Sequence, residues 1–160
     1  MKKNSKVRSG FSLIELVIVV VIIAIIAAIA VPKMSRGAAG ANDSATMQNL
    51  SQMRSAIDLF AAEHGGTLPS STPATFKDQL TTYTDISGGT SATKTATHIY
   101  GPYLKSIPTL PVGTNKGLST VTATGPAGTG NFAWFYDGST VWVNNPTADV
   151  DARGTAYNTY

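Results

Sequence analysis

Sixteen consecutive residues, 16–31, carry no polar side chain, and the apolar run reaches back to Phe11 with only Ser12 and Glu15 interrupting it. At about 1.5 Å rise per residue, a helix of that length spans roughly 30 Å, the thickness of one hydrocarbon core. A run this apolar on every side has no solvated face, so the chain divides into a membrane-spanning segment and a remainder that folds in water. Within it Glu15 is the anomaly, because an ionised carboxylate in a bilayer is costly and functional by default.

Charge gives the segment a direction. The chain has a formal net charge of +3, but Lys2, Lys3, Lys6 and Arg8 lie in the first ten positions, which hold no acid. The other 150 residues carry eight basic and nine acidic residues, a net of −1. A basic cluster before the run predicts a cytoplasmic N-terminus and an extracytoplasmic C-terminal domain. A nearly neutral body offers no basic surface for nucleic acid. Cysteine is absent, which excludes disulfides, thiolate metal sites and cysteine nucleophiles. An ordinary cleaved secretory signal is the rival reading. It needs a shorter apolar core and a small-residue cleavage site, for which Ala28, Ala30 and Pro32 give only a faint match.

The order of features is more specific. A basic leader ends in Gly10, Phe11 begins the apolar run, and Glu15 follows four residues later. This resembles the class III signal of type IV pilins and type II secretion pseudopilins. The resemblance implies cleavage after Gly10 by prepilin peptidase, methylation of the new N-terminus at Phe11, and polymerisation through the N-terminal helix. Pro32 falls where that family usually has a proline; inside a helix it removes one hydrogen bond and permits a kink.

Cleavage would give Glu15 a partner, the amine of Phe11. At about 4 Å and intermediate dielectric such a pair gains on the order of 4 kcal/mol. That is comparable with the few kcal/mol needed to place a charge in the membrane. Across two staggered helices the pair would fix axial register, and the resemblance gives Glu15 that role in assembly. In an isolated subunit its own amine lies one turn away, so the side chain is expected to stabilise nothing there. A glutamate that merely snorkels to the interface is the plain alternative.

Beyond Pro32, Gly37 and Gly40 weaken helix by about 1 kcal/mol each. Helical spacing then returns in Met47, Leu50, Met53, Ile57 and Phe60, with Gln48, Gln52, Ser55 and Glu63 opposite. Gly65 and Gly66 predict the stop. One interrupted helix over 11–64 is expected, following a leader at 1–10 and preceding a globular domain at 65–160. In that domain "FKDQL" reads as a short helix and "SGGTSATKTAT" as loop. "NFAWFY" and "TVWVN" flank Asp137, Gly138 and Ser139, a strong hairpin signal. Phe132, Trp134 and Tyr136 should share one face, Ala133 and Phe135 the other. "LSTVTAT" supplies a third strand, giving an α+β domain with a small antiparallel sheet against the long helix.

"YGPYLKSIPTLPVG" and the aromatic final hairpin are similar to the corresponding segments of the major pseudopilin of type II secretion. There the family commonly continues with an acidic residue, proline, tryptophan and glycine; this chain has Leu110, Pro111, Val112 and Gly113. The resemblance implies a single-pass inner-membrane protein with a periplasmic domain. Its partners would be copies of itself, prepilin peptidase, an inner-membrane assembly platform, minor pseudopilins and membrane lipid, with no nucleic acid. A type IV pilin and a DNA-uptake pseudopilin are the nearest alternatives, although the former usually carries a C-terminal disulfide loop. A signal-anchored extracytoplasmic binding protein or enzyme is the alternative of a different class.

No catalytic constellation is legible, and the chain reads as a structural subunit and not an enzyme. His64 ends the helix, where a cation suits the dipole, and His98 lies in a loop. No nucleophile elbow or phosphate-cradling loop appears. Asp149 and Asp151, beside Asn144 and Asn145, form the one candidate metal site. Calcium favours several oxygen ligands from such a loop, and the major-pseudopilin resemblance implies calcium near the end of the sheet.

Overall fold

The structure is a computed structural model that describes residues 12–123 and 128–160, apart from the side chains of residues 35 and 36. Its elements are helix α1 (Leu13–Glu63), helix α2 (Pro73–Thr81) and strands β1 (Tyr83–Thr84), β2 (Thr90–Ser91), β3 (Val121–Thr122), β4 (Trp134–Tyr136) and β5 (Val141–Val143), with a short 3-10 turn at Tyr157–Thr159. The chain divides into two compact units, Met1–Ala38 and Ala39–Tyr160. The fold class is α+β, a long N-terminal helix and small sheets, consistent with a pilin fold.

In the first unit α1 is apolar on every side over residues 16–31, and the helix runs unbroken through Pro32. In the second unit the α1 residues from Ala39 onward bury a stripe made of Leu50, Met53, Ile57 and Phe60, as their spacing predicts. Met47 departs from that prediction and is 37 % exposed. Thr46 and Ala56 are buried instead. The Thr46 hydroxyl donates to the Asn42 carbonyl at 2.9 Å, which allows a polar side chain to face the core. The helix ends as its glycines require: Gly65 and Gly66 have φ of 64° and 88°, and the Gly66 N–H reaches back to the Ala61 carbonyl at 2.7 Å. That bond closes a Schellman cap.

The core against this stripe comes from Phe76 and Leu80 of α2, Leu104, Ile107 and Leu110 of the following segment, and Trp134, Tyr136, Val141 and Val143 of the hairpin. Strands β4 and β5 pair antiparallel, Phe135 opposite Trp142, as the Asp-Gly turn predicts. Strand β3 pairs parallel to β4, so this sheet is mixed and not purely antiparallel. The expected alternation also breaks at the start of β4: Ala133 is buried and Phe132 is 38 % exposed. Ala133 and Trp134 both donate to the Thr120 carbonyl, at 2.9 and 3.1 Å, so two successive residues oppose one. A bulge of this kind shifts the faces by one residue.

The segment expected to be loop contains a second, two-residue ladder, β1 paired antiparallel with β2. Its turn is organised by Asp85, whose Oδ1 accepts from the N–H groups of Ser87 and Gly89 at 2.9 and 2.8 Å and from the Ser87 hydroxyl at 2.7 Å. Those bonds and the His98 ring, 3.8 Å away, hold the Asp85 carboxyl below its ordinary range. Two-residue strands carry no periodicity, which is why this ladder has no sequence signature.

Candidate functional site

Glu15 lies in the first turn of α1. The side chains around it, Leu13, Ile14, Leu16, Val17 and Ile18, are all exposed, and this exposure continues to Val31. Among the described residues α1 is the helix long and apolar enough to cross a membrane, by length and composition. The Ser12 N–H donates to Glu15 Oε2 at 2.8 Å, and the Leu16 N–H reaches the Ser12 carbonyl at 3.2 Å. Ser12, Leu13, Ile14 and Glu15 thus have the Ser-x-x-Glu order of a capping box, with the glutamate satisfying an otherwise orphan N–H. The expectation that Glu15 stabilises nothing within its own chain is corrected by this bond. Gly10 and Phe11 lie outside the described residues. Pro32 lies within α1, at the end of the apolar run.

The acidic loop is organised otherwise than expected. Asp149 faces the 113–115 turn, where its carboxylate accepts from the Thr114 N–H and, at 3.2 Å, from the Thr114 hydroxyl. Asp151 closes its own turn. Its Oδ1 takes the N–H groups of Arg153 and Thr155, both at 2.8 Å, and its Oδ2 takes Arg153 Nε at 3.0 Å and the Tyr160 hydroxyl. The Tyr160 hydroxyl, the backbone donors and the guanidinium hold the Asp151 carboxyl well below the usual carboxylate range.

Asn144 and Asn145 are fully buried and tie loops together. Asn144 Oδ1 accepts from Gly128 N–H at 2.7 Å, and Asn145 Oδ1 from Asn115 N–H at 3.2 Å. Calcium takes six to eight oxygen ligands. Here the side-chain oxygens of all four residues already accept protein hydrogen bonds. No group of three or more His, Asp or Glu gathers among the described residues. The donor set therefore does not fit a calcium cage.

Three features had no sequence signal. Asp43, on α1, accepts from the Ala152 N–H at 3.0 Å and from the Tyr157 hydroxyl, so the C-terminal segment is fastened to the helix within the second unit. Arg54 sends Nε and a terminal nitrogen to the Val141 carbonyl, at 3.1 and 2.9 Å, and lies 5.7 Å from the Trp142 ring centroid. His64 is buried within the core side of the helix end and not exposed to solvent. It stacks on Phe60 with ring centroids 3.8 Å apart and donates from Nδ1 to the Phe60 carbonyl at 2.7 Å.

The prokaryotic N-terminal methylation motif family matches this chain over residues 5–31. The match covers the second half of the leader with Lys6 and Arg8, then Gly10, Phe11, Glu15 and the apolar run. The chain therefore carries a prepilin signal of the type IV pilin-like kind, which implies processing by prepilin peptidase and polymerisation in the pilin-like manner. With the apolar helix, the signal points to membrane anchoring. Comparisons with curated proteins and with solved structures find no match.

Proposed function

We propose that this chain is a structural subunit of a type II secretion pseudopilus. It would be processed after Gly10, held in the inner membrane with its N-terminus cytoplasmic, and assembled through α1 into a filament that drives protein export. The observation that carries this reading is Glu15, the one carboxylate in an exposed apolar run that extends to Val31, placed five residues after the leader glycine. The same apolar surface suits lipid before assembly and neighbouring helices after it. The subunit contributes packing area and axial register, and no chemistry. An enzyme would need a pocket with convergent polar groups. One groove, of about 390 Å3 beside Pro73, Ile107, Val121 and Phe132, is mostly apolar; another, of about 410 Å3 beside Asn42, Lys116 and Asp149, is more polar and open.

The sheet-side evidence for a secretion pseudopilin, as opposed to a type IV pilin or DNA-uptake pseudopilin, is the 100–113 segment and the aromatic hairpin. Leu104, Ile107 and Leu110 are core residues, and the Trp134 indole donates to the Pro108 carbonyl at 2.8 Å.

Mass spectrometry of membrane-purified protein tests the processing step. The expected N-terminus is a methylated Phe11, and a bulky residue at Gly10 should leave the leader attached. An N-terminus near Val31 overturns the reading in favour of an ordinary signal peptide. Loss of secreted protein on deleting the gene, with pili and DNA uptake intact, would favour the secretion role over its neighbours.

A further inference from the structure

We infer that the C-terminal loop at 149–155 is a metal-free clasp, in which protein groups occupy the place that the major-pseudopilin resemblance gives to calcium. A calcium loop points carboxylate and carbonyl oxygens at one empty centre. Here Asp151 is turned toward nitrogen and hydroxyl donors, with its side chain 2 % exposed, and four bonds from Arg153, Thr155 and Tyr160 fill both oxygens.

The positive charge that a divalent ion would supply comes from the Arg153 guanidinium, 3.0 Å from Asp151 Oδ2 and also 3.3 Å from the Tyr160 hydroxyl. A buried carboxylate needs such a partner, and a guanidinium supplies charge and directed donors together. Asp149 is drawn away from Asp151 by Thr114, and the Tyr157 N–H takes the Asp149 carbonyl at 3.0 Å. One backbone oxygen that a cation would recruit is thereby spent.

The clasp has an anchor as well as a lock. Asp43 receives the Ala152 N–H from the middle of the turn and the Tyr157 hydroxyl from just beyond it. The turn is thus held closed by Asp151 and held to the helix by Asp43. Neither junction uses an ion.

The test uses the full chain in detergent micelles, with unfolding followed by the fluorescence of Trp134 and Trp142 in excess calcium chloride and in chelator. The expected midpoints coincide. A site filled a hundredfold above its Kd would raise the midpoint by on the order of 10 °C, and such a rise overturns the inference. A second variant tests the lock itself. The Arg153 side chain is 75 % exposed, so Arg153→Gln is expected to fold. It should lower the midpoint equally with calcium and with chelator, and speed chymotryptic cleavage after Tyr157. An Arg153→Gln protein that melts and is cleaved like the parent overturns the inference too.

Discussion

The backbone N–H of Ser12 donates to Oε2 of Glu15 at 2.8 Å, so the one carboxylate in the apolar run already has a partner in its own chain. This makes Glu15 the end of a helix as well as a charge. The two roles separate chemically, because glutamine keeps the capping acceptor and loses the charge.

Glu15→Gln and Glu15→Ala are both expected to be cleaved and inserted, yet to enter filaments poorly. A filament that loses the carboxylate leaves a buried amine unpaired, at a cost of about 3–5 kcal/mol per subunit. Loss of the cap alone costs about 1 kcal/mol. Pelleting of sheared filaments decides it: assembly of Glu15→Gln at parental levels would assign the residue to capping.

Arg54→Ala should destabilise the C-terminal unit by about 1.5–3 kcal/mol, the range for a hydrogen bond to a charged group. Arg54→Lys should recover less than half, since a single ammonium cannot reproduce the two-nitrogen grip on Val141 or the planar contact with Trp142. Thermal midpoints of the two variants provide the check.

Gly113→Ala should be among the most damaging single changes, costing several kcal/mol. The glycine has φ of 69°, and an added Cβ would stand 2.0 Å from the Asn145 amide nitrogen and 2.7 Å from an Asp149 carboxylate oxygen. Gly66→Ala, at φ of 88° but with open space around it, should cost only about 1 kcal/mol. Equal midpoints for the two variants would refute the close-approach argument.

Alkali should unfold the C-terminal unit in a defined window. The Tyr136 hydroxyl is pushed up to about 12 by burial, and it donates to the Pro69 carbonyl at 3.0 Å. Tyr103 and Tyr157 are raised as well, by burial and by their carboxylate partners Glu63 and Asp43. Groups raised in the fold favour their neutral form there. Their contribution is complete below the unfolded tyrosine value near 10 and is lost as pH rises toward 12. Tyrosinate absorbance should therefore rise together with the loss of Trp fluorescence, and ionisation of all tyrosines near pH 10 in folded protein would contradict it.

How much of this was legible in the sequence follows from the range of the interactions. The apolar run, the stripe from Leu50 to Phe60, the glycine stop and the Asp-Gly hairpin are local patterns, each set by residues a turn or two apart. The parallel pairing of β3 and the exposure of Phe132 depend on which carbonyl the 133–134 backbone meets, which periodicity does not encode. An Asp-rich loop looks alike in sequence whether its oxygens face an ion or an arginine, which is why Asp151 carries the signature of a cation ligand. Its hydrogen-bond partners in the structure, Arg153 and Tyr160, stand two and nine residues away, near enough in sequence but marked by no spacing rule. Asp43 is more than a hundred residues from Ala152.

The grip of Arg54 on Val141 also limits how copies of the chain can join. Asp137 donates to Thr140 and Asn144 to Ala133, so the ladder's alternation turns the Val141 carbonyl toward the outer margin of β5. A neighbouring strand seeking that carbonyl would find it taken by a guanidinium. Open sheet margins invite indiscriminate stacking of one domain on another. With that acceptor already filled, a strand from a second copy would find one fewer open group to pair with along this margin.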